Sequence, residues 1–135
     1  MKLLLLIPLF FLQSANVVTL TVKVKGVPNE QGNVMVGVYN EADNFSHPTK
    51  VYKSKIVKAK KGEVSLTISF EKGEKVALAL YHDENANKVL DKNMFGVPTE
   101  VYGFSNDARG TFSAPSFEEA EIVMDANKAV EVTLQ

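Results

Sequence analysis

Residues 64–70, Val-Ser-Leu-Thr-Ile-Ser-Phe, place an apolar side chain at every second position and a small polar one between. Successive side chains of a strand point to opposite faces, so this run buries Val64, Leu66, Ile68 and Phe70 and wets the rest. The same period recurs along the chain. Val17 to Val24 alternates valine and leucine with threonine and lysine. Asn33 to Tyr39 alternates with both faces fairly apolar, which places it near the centre of a sheet, and Gly37 within it marks a bulge or a close backbone approach. Val51 to Ala59 repeats the pattern weakly, with lysines at 53, 55 and 58 that suit a sheet edge. Val76 to Tyr81 is nearly all apolar and reads as a central strand. Ala120 to Met124 and Ala129 to Leu134 read as a closing pair around Asp125-Ala126-Asn127-Lys128.

Turn residues separate these runs, at Gly26 to Gly32, Lys60 to Glu63 and Glu71 to Glu74. Seven strands with no long helical pattern predict an all-β fold, a seven-stranded antiparallel sandwich of immunoglobulin-like or transthyretin-like kind. At 135 residues, 45% hydrophobic and 23% charged, the chain suits one globular domain with a real core. Ser116 and Glu119 fit a capping box for one short helical turn.

The N-terminus departs from this pattern. Met1 and Lys2 precede an apolar run, Leu3 to Leu12, broken only by Pro8, and Gln13-Ser14-Ala15 then offers small residues for a peptidase. This predicts a signal peptide over 1–15, cut after Ala15, and a single domain over 16–135 that is periplasmic or secreted. The run is too short to remain as a stable membrane span. Cysteine is absent, so the fold does without disulfides and without a lipid-attachment thiol. A formal charge of −1 gives no electrostatic footprint for nucleic acid.

Alternation stops between His82 and Ser116, giving one long loop (82–116) between strands 5 and 6. Connections of that length in a compact domain bind something or fold on themselves. Asp83, Asn85, Asn87 and Asp91 occupy positions 1, 3, 5 and 9 of a candidate calcium loop, with the Val89 carbonyl at 7 and Leu90 as a core anchor. Alternate residues of a curled loop aim oxygens at one centre, and calcium is a hard cation that takes oxygens alone. Two positions depart from an EF-hand: Lys88 stands where Gly belongs and Met94 where a bidentate Glu belongs, leaving Glu84 or Glu100 to supply the missing carboxylate. The competing expectation is that these side chains cap turns through their own backbone.

His82, Asp83 and Ser105 hold the residue types of a nucleophilic triad. However, Asp107 replaces the closing glycine of a nucleophile elbow and no strand-to-helix turn is expected there. His47 and His82 are too far apart in sequence to form a zinc motif. Tyr102, Phe104, Phe112 and Phe117 make the second half of the loop aromatic. Exposed, with His82, Glu100, Asn106 and Arg109, they would form a binding surface for a protein, peptide or glycan; turned inward, they would be the loop's own small core. For Arg109 the expected partners are Asp107, Glu100 or Asp91.

The run His82-Asp83-Glu84-Asn85-Ala86-Asn87, then Leu90-Asp91, Gly96-Val97-Pro98-Thr99-Glu100, Tyr102-Gly103-Phe104-Ser105-Asn106 and Pro115-Ser116-Phe117, resembles the bacterial exported proteins grouped as domain of unknown function 2141. The likeness covers nearly the whole chain after residue 15. It implies export and a small β-sandwich, and carries no established activity or ligand. Members often have Gly where this chain has Ala86 and Lys88, which bears on the metal loop because a left-handed backbone is easier at Gly. Two functions are expected in competition: a non-enzymatic module whose loop binds or braces, with or without calcium, and a hydrolase or carbohydrate-active enzyme using His82, Asp83 and Glu100.

Overall fold

The computed structural model describes residues 16–111 and 113–135; the signal peptide expected over 1–15 and the aromatic Phe112 lie outside them. Eight strands are present among the described residues, one more than the alternation predicts. They are β1 (Val17–Val27), β2 (Asn33–Tyr39), β3 (Lys53–Lys58), β4 (Gly62–Glu71), β5 (Lys75–Asp83), β6 (Tyr102–Phe104), β7 (Ile122–Val123) and β8 (Lys128–Thr133). A one-turn α-helix, α1 (Phe117–Ala120), opens with the expected capping box: Ser116 accepts from the Glu119 N–H, and Glu119 accepts from the Ser116 N–H.

Two sheets face each other. One runs β4-β1-β8 and the other β3-β2-β5-β6, with β7 pairing the start of β5. The alternation explains the faces. Leu20, Val22 and Val24 of β1, Val34, Val36 and Val38 of β2, the four predicted β4 residues and Val76, Leu78 and Leu80 of β5 are all buried in one shared core. The lysine-bearing β3 is an edge strand, and β2 and β5 are central, as their apolar content requires. Gly37 makes a close approach and not a bulge. Its pairing with both neighbours is unbroken, and a Cβ there would lie 3.3 Å from the Tyr39 ring.

Two pairings differ from expectation. The C-terminal runs do not pair with each other: Ile122 and Val123 join β5, while β8 crosses to the other sheet and runs parallel to β1. The long connection is also shorter than predicted. β5 continues through Asp83, and Tyr102–Phe104 returns as β6 against Ala79–Tyr81. What remains irregular next to β5 is the segment 84–101. Among the described residues, no helix is long and apolar enough to cross a membrane.

Candidate functional site

The 84–101 loop starts from a rigid base. Gly32, in the β1–β2 turn, has φ +66°, and a Cβ there would sit 1.9 Å from the Asp83 carbonyl oxygen. Only glycine lets the two backbones lie this close. The same turn holds His82, whose Nε2–H donates to the Gln31 carbonyl at 2.6 Å, and Glu84, which accepts from the Asn29 amide at 3.1 Å. His82 is fully buried and its Nδ1 has no hydrogen-bond partner; the nearest acid oxygen, Glu84 Oε1, is 3.6 Å away.

Asp83 is also fully buried. Its two oxygens accept the backbone N–H groups of Asn87 at 3.2 Å and Lys88 at 2.8 Å, curling the chain into a turn. Asn85 Oδ1 accepts from Asn87 N–H, and Asn87 Oδ1 from Val89 N–H. Both side-chain amides then donate to Asp91, each at 2.7 Å. Glu100 closes the loop from below, accepting from Glu84 N–H at 2.8 Å and Asp91 N–H at 3.0 Å. Ala86 and Lys88 adopt left-handed φ values of 54° and 64° without being glycine, each a conformation that costs about 1–2 kcal/mol. The Asp83 carboxylate holds Lys88 through its N–H, and the Ala86 N–H donates to the Asp83 backbone carbonyl.

A calcium ion and this hydrogen-bond set draw on the same oxygens. Each oxygen of Asp83 and Asp91 accepts one bond and keeps a second lone pair. The Asn85 and Asn87 amides, however, present N–H groups to Asp91 and commit their oxygens to the backbone. Among the described residues, no three His, Cys, Asp or Glu side chains close on one point. As arranged, the fit to a cation is partial, and the loop stands closed by its own bonds. Leu90 is only half-buried and Val89 is 59% exposed.

Charges of this loop reach Tyr81 on β5. The Tyr81 hydroxyl is pushed up to about 12, by burial first and then by the charges of Asp83, Glu100 and Asp91.

Beyond Asp91 the chain makes a miniature hairpin. Lys92 bridges Pro98, Asn93 N–H donates to the Val97 carbonyl at 2.9 Å, and the Asn93 side chain accepts from Phe95 and Val97 N–H. Thr99 ties back to the Asp91 carbonyl through its N–H and its hydroxyl. At the tip, Met94 is 91% exposed and Phe95 82% exposed. These residues carry the most exposed large apolar side chains described, and the calcium spacing touches Met94 only as a position where a ligand is missing. Two adjacent large apolar residues inside an Asn/Lys/Gly stretch, out of phase with any strand, are the signal that marks them.

Of the aromatic residues of the expected surface, Phe104 and Phe117 lie inward. Phe104 is buried with Phe117, Ala77 and Ala120 on the outer face of the second sheet, and Phe45 packs edge-on against both rings. His82 and Phe104 therefore have no accessible face to offer a ligand, and Tyr102 is half-buried. Asn106 is exposed, but its amide donates to the Glu119 and Glu121 carbonyls and finishes α1. Arg109 pairs with none of the expected acids. It donates to the Tyr102 carbonyl at 2.8 Å, and its guanidinium lies 4.8 Å from the centre of the Tyr102 ring. Asp107 accepts from Thr133 N–H.

The triad residues do not meet. Ser105 is fully buried; its hydroxyl accepts from Leu78 N–H at 2.9 Å and donates to the Ala120 carbonyl, stitching β5 to α1. Two surface hollows, at Asn16, Val17, Glu71 and Lys72 and at Thr21, Lys23, Ser65 and Ala129 to Glu131, lie away from His82 and the loop.

No curated protein and no solved structure matches the chain. The model of the family described as "Uncharacterized protein conserved in bacteria (DUF2141)" matches residues 22–133, and the chain belongs to that family.

Proposed function

We propose that this chain is an exported, non-enzymatic binding module in which the sandwich is the frame and the 84–101 loop is the working part. One observation carries the proposal: among the described residues the most exposed large apolar pair, Met94 and Phe95, sits at the end of a segment whose turns are tied by side-chain bonds. Exposing such side chains in water is unfavourable, and fixing a loop costs conformational entropy. A rigid support under an apolar tip suits a partner that covers the tip. The enzyme alternative needs His82 in a cleft beside an acid. A buried imidazole held by a backbone carbonyl, and a serine used as a tie, support the binding reading instead.

A photo-crosslinking residue placed at position 95 of the exported chain tests this in intact cells. Adducts at 95 that are absent when the probe sits on the Lys60–Lys61 turn support the module; no adduct at 95 contradicts it.

A second reading adds calcium to the same loop. It is favoured by the left-handed Lys88 backbone, the Asp83 caps on residues 87 and 88, and the charges of Asp83, Glu100 and Asp91 felt at Tyr81. Thermal melting against calcium decides it. A saturable rise in Tm reversed by chelator supports the ion, and an unchanged Tm leaves the loop held by hydrogen bonds alone.

A further inference from the structure

We infer that the partner of the 84–101 loop is a second copy of this chain, in a twofold dimer that seats each loop against the other chain's β3 edge. The inference rests on the binding-module reading and names the partner.

Exposed apolar residues locate two patches. The large apolar side chains that stand well exposed among the described residues fall, Val17 apart, on two segments. Val89, Met94, Phe95 and Val97 belong to the loop. Val51, Tyr52 and Ile56 belong to β3 and the residues leading into it. The two segments differ in charge. Residues 50–58 hold lysines at 50, 53, 55 and 58 and no acid, and β2 beside them is uncharged. None of these four lysines is in an ion pair among the described residues. Glu71 and Glu74 near one end of β3 are fewer than these lysines, and Glu30 and Glu63 near the other are matched by Lys60 and Lys61. The loop and its base are acidic: Asp83, Glu84, Asp91 and Glu100 outnumber Lys88 and Lys92. Bonds from neutral N–H groups leave those negative charges in place. A basic apolar patch and an acidic apolar patch on one chain are complementary, and a second copy supplies both.

Strand register puts both patches on one face. Lys58, Asn33 and Asp83 lie side by side across β3, β2 and β5, so the lysine edge and the base of the loop are two strand spacings apart, about 10 Å. Ile56, Met35 and Tyr81 form the next row of that outer face and join the patches. Ile56 is 52% exposed and the other two are half-buried. Asp83 shares the outer face with Tyr81, and its bonds to residues 87 and 88 raise the loop from there. A twofold axis through this strip lays the basic side of each chain on the acidic side of the other. Size calls for both contacts at once. A specific interface uses about 20–30 residues a side, which neither 50–58 nor 84–101 supplies alone and the two together do.

Sedimentation equilibrium on the exported chain tests the dimer. The expected result is a monomer–dimer equilibrium that weakens as salt rises. Lys55→Glu with Lys58→Glu, and separately Glu84→Lys, should each raise the dimer Kd at least about tenfold while the circular dichroism stays parental. An equimolar mixture of these two variants should return to the parental Kd, because each reversed edge then meets a reversed loop and each unaltered edge an unaltered one. Met94→Ser with Phe95→Ser should weaken the dimer by a similar factor. In the crosslinking experiment, the adduct at position 95 should have the mass of two chains. A chain monomeric at every concentration and salt, a dimer indifferent to all three variants, or reversals that fail to complement each other overturns the second copy. A position-95 adduct to another protein, with no dimer, removes the second copy and leaves the module reading standing; no adduct and no dimer remove both.

Discussion

Asp83 accepts the backbone N–H of Lys88 at 2.8 Å from a carboxylate with no exposed surface. The last residue of β5 thereby dictates the path of the chain after the sheet ends. The core fixes where Asp83 sits, and the carboxylate fixes residues 87 and 88. The tip at 94 and 95 follows from that support.

Asp83→Asn keeps the shape but turns one acceptor into a donor facing a backbone N–H. The expected cost is about 1–3 kcal/mol of unfolding free energy, since a buried partner is left unsatisfied. Urea denaturation measures it. A change below about 0.5 kcal/mol would mean the cap does not hold the turn.

Lys88→Gly should act in the opposite sense. Relief of left-handed strain, about 1–2 kcal/mol, exceeds or matches the roughly 0.5–1 kcal/mol that glycine costs in unfolded-state freedom. The variant is expected to be neutral or up to about 1 kcal/mol more stable by urea denaturation. A clear loss of stability would show that the Lys88 side chain contributes more than its backbone costs.

Ser105→Ala removes the tie between Leu78 and Ala120 and leaves a buried N–H and a buried carbonyl without this partner. A destabilisation of about 1–3 kcal/mol is expected in urea denaturation. A serine kept for nucleophilic chemistry would instead be lost with little change in melting.

Tyr81 should titrate near 12. Its phenol is raised in the folded chain, so the unfolded chain releases this proton first. The associated stability is fully present below the ordinary tyrosine range, near 10, and is lost as pH rises from there through about 12. Ultraviolet titration of the phenolate follows it. Asp83→Asn should lower the midpoint, because burial is the larger cause but the Asp83 charge is the next. An unmoved midpoint would place Asp83 electrically apart from Tyr81.

Much of the frame was legible in the chain. Val64, Leu66, Ile68 and Phe70 alternate because β4 has one wet face, and lysines at 53, 55 and 58 mark β3 as an edge. Pairing partners were not legible. Ile122–Val123 and Lys128–Thr133 look like a hairpin locally, yet the first adds to β5 and the second runs beside β1, choices set by which sheet edge is open. The strand β6 leaves no periodic trace because three residues are too few to alternate, and its register comes from Ala79 and Tyr81 across the sheet. At the site, the Asp/Asn spacing singled out a segment that the structure shows curled by Asp83 and its neighbours. Which oxygens meet which N–H groups depends on the turn itself, and Glu100 joins only through the fold. Ligand spacing passes over Met94 and Phe95, whose exposure is set by the hairpin that carries them.

Amide hydrogen exchange across residues 84–101 probes the support most directly. A loop tied by Asp83 and Glu100 requires the amides of Asn87, Lys88 and Asp91 to exchange at least about tenfold more slowly than in an unfolded chain of the same sequence. Exchange at unprotected rates at all three would contradict it, because the hairpin that carries Met94 and Phe95 would then stand on a base that Asp83 and Glu100 do not tie.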